Sequence, residues 1–270
     1  MNMLKSGACT AVLASVSVVA TAGIADFYAA DAGGRIYRVD GDTLNASLVI
    51  DLDNGFNLND ILYLDDGSIL ANTNGLLVRF DLQTGEESVI FSANGPPVGS
   101  GFHFTSGLAA TSDGNVYFTA TTPNGQERFG GEYNPHTGVY TRLADIESPG
   151  GLYFDHHEIA ENIYLGADFQ HNRIGVINAL TGGTTFIDTA FGPVSFFESN
   201  GTLFSMGRDG DLYTLDVESG ESVLYGNVTG RVGINAWIGA ASVSNPFALP
   251  TPGTLSMLGL GSLMATRRRR

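Results

Sequence analysis

GLLVRFDLQTGEESVIF, from Gly75 to Phe91, sets two short alternating strands on either side of the turn Asp81-Leu82-Gln83-Thr84-Gly85. The carboxylate of such a turn accepts backbone N–H groups two residues on, and the glycine takes the positive φ that closes a hairpin with a bulge. The same spelling returns in GEYNPHTGVYTRL (Gly131 to Leu143), RIGVINALTGGTTFI (Arg173 to Ile187) and DLYTLDVESGESVLY (Asp211 to Tyr225). The matching positions are Asn134/Thr137/Gly138, Asn178/Thr181/Gly182 and Asp216/Ser219/Gly220. RIYRVDGDTLNASLVIDL, Arg35 to Leu52, is an irregular fifth copy with Leu44 where the glycine belongs. These Asp and Asn side chains are therefore predicted turn residues rather than catalysts.

From Asp40 to Asp81, Asn134, Asn178 and Asp216 the spacings are 41, 53, 44 and 38 residues, the range of four-stranded propeller blades. Upstream of each turn lie two more short strands joined by another turn signal, as in DILYLDDGSILANTNG and VSFFESNGTLFSMGRDG. Each copy thus reads as a four-stranded meander. The first copy starts directly at DFYAADAGG and lacks its innermost strand, whereas GINAWIGAAS (Gly233 to Ser242) follows the last copy without a partner. The predicted fold is all-β: a five-bladed β-propeller of four-stranded antiparallel blades, the first closed by this C-terminal strand, which removes the edges an open array exposes. Trp237, in the closing strand, is expected to wedge between blades.

Composition bounds the partners. The chain has 270 residues and 36 glycines, enough for one sizeable all-β domain with signals at its ends. Between Asp26 and Ala248 there are eight arginines and no lysine against 28 Asp and Glu, a balance of −20. Such a body repels phosphate backbones and anionic headgroups and attracts divalent cations, which argues against nucleic acid as a partner. At the N-terminus, Lys5, the small apolar run Ala8 to Ala20 and the sites Ala20-Thr21-Ala22 and Gly23-Ile24-Ala25 make the layout of a secretory signal peptide over residues 1–25, with cleavage before Asp26 favoured. Cys9 is the sole cysteine, so the mature propeller, residues 26–247, has to be stable without disulfides.

Residues 248–270 form a third unit. Pro250-Thr251-Pro252-Gly253 precedes an apolar run to Thr266 and the cluster Arg267, Arg268, Arg269 and Arg270. The run is about 21 Å long as a helix, short of the roughly 30 Å hydrocarbon core. It suits transient membrane contact, with the arginines held on the cytoplasmic side.

The body resembles the propellers of the NHL, YVTN and lactonase-like class, on RIYRVD, LLVRFDLQTG and DLYTLDVESG. The tail resembles the PEP-CTERM sorting signal of exported bacterial proteins, on its Pro motif, apolar segment and terminal arginines, with Thr251 in place of the usual Glu. That resemblance implies export through the inner membrane, an exosortase-like processing enzyme as partner, and a cell-surface or extracellular destination.

Ligands of propellers usually sit at the mouth of the central channel, among the loops that lead into the innermost strands. Here these are GFNLND, GFHFTSG, ESPGG, AFGPVS and RVGINAW. Asn57, Asp60, His103, Glu147 and Asn235 are the candidate ligand-binding residues, and Asp60, Glu147 and Asn235 are an oxygen-rich set suited to calcium. The competing reading is a polar lining with Asp60 facing open water. Asp155-His156-His157-Glu158 looks like a site, yet the repeat assigns it to a solvated turn between a first and a second strand. No GxSxG elbow, HExxH helix, Walker loop or thiol outside Cys9 is present. Two classes of function remain: a non-catalytic binding module for an extracellular glycan, protein or small ligand, and a calcium-dependent lactonase-like hydrolase or lyase with its site in the channel. A propeller is compatible with both.

Overall fold

The computed structural model of the chain describes residues 23–52, 58–73, 76–92, 103–121, 127–146, 155–233 and 235–243, the side chains of 91, 92 and 103–106 excepted. Alternation and turn chemistry produce strands throughout. Blade 1 contains β1 (Phe27–Asp31), β2 (Arg35–Val39) and β3 (Ala46–Asp51). Blade 2 follows with β4 (Leu58–Tyr63), β5 (Ser68–Thr73), β6 (Leu76–Asp81) and β7 (Glu87–Ser92), and blade 3 with β8 (His103–Ala110), β9 (Val116–Thr121), β10 (Arg128–Tyr133) and β11 (Tyr140–Asp145). Blade 4 is β12 (His156–Ala160), β13 (Ile163–Asp168), β14 (Arg173–Asn178) and β15 (Thr184–Asp188). Blade 5 is β16 (Pro193–Ser199), β17 (Thr202–Gly207), β18 (Asp211–Leu215) and β19 (Ser222–Asn227), and β20 (Trp237–Ser242) returns to blade 1. The sheets run β20-β1-β2-β3, β4 to β7, β8 to β11, β12 to β15 and β16 to β19, all antiparallel meanders. β20 lies on β1 with Phe27 opposite Ser242 and Ala30 opposite Gly239, so a five-bladed ring is closed by strands from the two ends of the domain.

The outer hairpins close as their residues require. Asp81 Oδ1 accepts the N–H groups of Gln83 and Thr84 at 2.8 and 2.9 Å, and Gly85 has φ 74°. Asn134, Asn178 and Asp216 repeat the arrangement, with glycines at φ 70°, 74° and 74°. Leu44 takes φ 55° in blade 1 and remains buried.

Each pair of neighbouring blades has its own apolar contact. Leu70, Leu77, Phe118 and Phe129 fill the space between blades 2 and 3. Ile36, Ile61, Ile69 and Ile238 join blades 1 and 2, and Leu165, Ile174, Phe196 and Leu215 join blades 4 and 5. Tyr117 and Tyr164 stack at 3.8 Å between blades 3 and 4. Between blades 5 and 1, Trp237 is fully buried beside Phe197, Met206 and Leu212 and meets Tyr37 edge-on at 5.2 Å, so it is the wedge its place in the closing strand suggested. Ile24 belongs to the same cluster, while Ala25 N–H bonds Ser199 Oγ at 2.9 Å and Asn200 Nδ2 bonds Gly23 O at 2.6 Å.

Candidate functional site

Of the expected channel residues, Asn57 and Glu147 lie outside the described residues, and so do Pro250, Thr251, Pro252, Gly253 and Arg267 to Arg270 of the tail. His103 opens β8, a strand position rather than a loop, and its side chain is not among those described. Asn235 is half-buried, its amide packed where a Cβ on Gly33 would fall. Asp60 differs from expectation. It does not face open water but is fully buried in the inner strand β4.

The reason is visible in its bonds. Asp60 Oδ2 accepts the N–H of Leu108, on the inner strand of blade 3, at 2.6 Å, and Oδ1 accepts the N–H of Ile61 at 2.7 Å. A Cβ on Gly239 would come within 2.7 Å of Oδ1, so the glycine of β20 makes the room. Asp155, immediately before β12, repeats the device: fully enclosed, it accepts the Phe196 N–H of blade 5 at 2.6 Å. The two carboxyls also bond each other, and burial pushes both well above the usual carboxylate range. The charge of Asp60 raises Asp155 further, so the pair holds one proton between its two carboxyls. Around the axis of the ring, this pair ties blade 2 to blade 3 and blade 4 to blade 5. The Asn72 side chain, across the β4–β5 pair from Asp60, and Ser195 Oγ are buried without a hydrogen-bond partner.

Asp155-His156-His157-Glu158 is accordingly not a solvated turn. It is the start of an inner strand, with the turn at Glu161 and Asn162, where Asn162 has φ 61°. His156 is 2% exposed, donates from Nδ1 to Leu165 O and accepts the Thr119 hydroxyl on Nε2, both at 3.0 Å. Burial holds it neutral, its pKa lowered to about 4. The signal was present in the sequence: Asp60 stands seven residues before Gly67 and Asp155 seven before Asn162, and both turn residues have positive φ. Gly107 occupies the same place in blade 3, where a Cβ would meet the His156 ring.

Among the described residues no group of three or more His, Cys, Asp or Glu side chains is arranged to hold a metal ion. An acidic hollow of about 120 Å³ lies between blades 3 and 4 and includes Asp113, Glu132, Glu158 and Glu161. Burial raises Glu132 and Glu158, and Glu158 Oε2 accepts the Ser112 N–H at 2.6 Å.

The opposite face, at which β16 and β20 begin, has a cleft of about 260 Å³ between blades 4 and 5. Its walls are Phe169 from the β13–β14 turn, Phe191 and Gly192 from the loop before β16, and Arg208, Asp209 and Tyr213 from around the β17–β18 turn. Phe191 and Tyr213 stack at 3.9 Å, and the Arg208 guanidinium lies 4.8 Å over the Phe169 ring. On the same face, Asp31 pairs with Arg35 and Asp168 with Arg173 and His171. Arg208 makes none of the ion pairs found among the described residues. No pattern of sequence marks this site, since an arginine left unpaired depends on where every carboxylate falls in three dimensions.

No protein-family profile and no curated protein sequence matches the chain. Solved structures do. A protein of unknown function from Bacteroides caccae is 18% identical, with a TM-score of 0.52 over 75% of this chain and 72% of its own. A second of unknown function, from Bacteroides thetaiotaomicron, is 13% identical, with a TM-score of 0.51 over 81% of this chain and 62% of its own. A streptogramin B lyase is 16% identical over 77% of this chain and 76% of its own, with a TM-score of 0.44. At these identities the likeness is one of fold.

Proposed function

We propose that the chain is an exported, surface- or matrix-associated propeller that binds its ligand without chemistry, on the rim cleft between blades 4 and 5. The observation that carries this reading is the use made of the axial carboxyls. Asp60 and Asp155 spend their lone pairs on main-chain N–H groups of the following blades and share a proton with each other. A group committed in this way orders the ring and is poorly placed to polarise a substrate carbonyl. The rim cleft instead offers aromatic faces and a guanidinium that pairs with no carboxylate among the described residues. Export and sorting are supported by the signal-peptide layout of residues 1–25 and by Pro250 to Arg270, with an exosortase-like enzyme as the processing partner.

The test is a comparison of the mature domain with Asp60→Asn, using γ-lactone and carboxylate-ester substrates with and without millimolar Ca²⁺. The expected result is no turnover and a melting temperature that calcium leaves unchanged. Turnover, or a calcium-dependent rise in melting temperature, that Asp60→Asn abolishes would establish the hydrolase reading instead.

A further inference from the structure

We infer that the rim cleft takes a uronic-acid unit of an extracellular polysaccharide, with its carboxylate on Arg208 and its ring against the Phe191–Tyr213 stack. This rests on the reading of that cleft as the binding face. In a body with 28 carboxylates and eight arginines, an unpaired guanidinium is the uncommon case. Arg208 and Arg231 both lack an ion-pair partner among the described residues, and both lie over aromatic rings, Phe169 and Trp237. The two meet around one turn. Arg208 belongs to it, and Gly210 of the same turn packs on the Trp237 indole that Arg231 covers. Arg231 Nη1 is buried without a hydrogen-bond partner. Asp209 and Asp211 place negative charge on the Tyr213 side of the cleft, while the Arg208 guanidinium keeps no carboxylate of its own among the described residues, and a guanidinium on a ring face is oriented for a planar carboxylate.

The rest of the cleft narrows the ligand. Asp209 is exposed beside Arg208, and the two do not pair. Asp209 Oδ1 takes the Asp211 N–H at 3.2 Å, a weak bond that leaves the carboxylate able to accept hydroxyl donors. A ligand that satisfies both residues carries an anion and hydroxyl groups, and the aromatic wall asks for an apolar ring face as well. A uronate supplies all three. The volume of about 260 Å³ is below the roughly 300–1,000 Å³ of pockets that enclose a drug-sized molecule. It accommodates one ring of a chain whose remainder lies outside. A ligand of dense charge such as a polyphosphate would meet the repulsion of the whole −20 body, whereas one carboxylate per ring meets it least.

The experiment is calorimetric titration of the mature domain with tri-galacturonate and with its fully methyl-esterified form, in EDTA so that no divalent ion bridges. The ester keeps the rings and removes the charge. Supporting results are at least tenfold tighter binding of the acid, loss of that preference in Arg208→Gln at an unchanged melting temperature, and weakening of both forms in Tyr213→Ala. Equal binding of acid and ester, with both lost in Tyr213→Ala, overturns the uronate assignment and leaves the binding face standing. Binding of neither form overturns the assignment too, as does displacement of the acid by L-phenylalanine, which also offers an anion, a donor and a ring. Acid binding that Arg208→Gln and Tyr213→Ala leave untouched puts the ligand elsewhere and overturns both.

Discussion

Leu44 occupies a backbone position that glycine holds in the other outer turns, at φ 55°. A left-handed conformation costs a non-glycine residue about 1–2 kcal/mol. Burying a leucine returns about 1.5–3 kcal/mol, and Leu44 is 8% exposed, packed against Gly226 of blade 5. Packing wins, which is why the fifth copy reads as irregular without being structurally different. Asp155 makes the stability of the ring depend on pH. Its folded pKa is raised, so its contribution is complete below the unfolded value of about 4 and is lost as pH rises through the folded one. His156 has the opposite sign: lowered to about 4, it contributes above about 6.5 and is lost as pH falls through the folded value. Asp155→Asn keeps an acceptor for Phe196 N–H and a donor for Asp60 while removing one titration. Urea midpoints measured from pH 5 to 9 should fall more steeply in wild type than in the variant, by up to about 1.4 kcal/mol per pH unit for one proton. The acid limb due to His156 and to His157, which burial likewise lowers to about 4, should remain in both. Parallel profiles would show that the pair does not hold a proton.

At the scale of the element, β20 decides whether the ring is closed. It supplies the inner strand of blade 1, and through Trp237 it fills the seam with blade 5. Trp237→Ala removes the largest fully buried side chain of the molecule's described part and should cost about 3–5 kcal/mol. Val223→Ala on the outer strand β19, where the side chain is 58% exposed, should stay within about 0.5 kcal/mol. Denaturant unfolding of the two variants checks the contrast. Similar losses from both would mean that the seam is not where the ring is held.

For the whole molecule, the first question is where the domain begins. Cleavage before Asp26 would discard Ile24, which is 5% exposed in the blade 5–blade 1 cluster, and the bonds of Gly23 and Ala25 to Asn200 and Ser199. Cleavage after Ala20-Thr21-Ala22 keeps them. Under the proposed export and sorting, intact-mass measurement of the protein recovered from its host should find Gly23 at the N-terminus and no trace of Arg267 to Arg270. A domain engineered to start at Asp26 should be less stable by about 1.5–3 kcal/mol, the burial of one isoleucine. Recovery of the natural product starting at Asp26, with equal stability, would return the boundary to the second Ala-rich site.

The number of blades and the joint between the chain ends were legible in the sequence because they are written in local chemistry. An Asx-x-x-Thr/Ser-Gly turn and its flanking alternation act within a dozen residues, and a strand with no partner at one end answers a blade with a strand missing at the other. The site was legible in part. Asp60 was expected at an open channel mouth, but its role turned on a bond to Leu108, 48 residues away, and on a carboxyl from blade 4. Asp155 and its histidines were read as solvated because polar spelling signals exposure until a neighbouring blade covers it. Arg208 acquires meaning only from the carboxylates that do not reach it. Local turns and periodicity determined the blades, whereas tertiary structure decided the charge states and the open faces. Burial and pairing depend on groups that only the closed ring brings together.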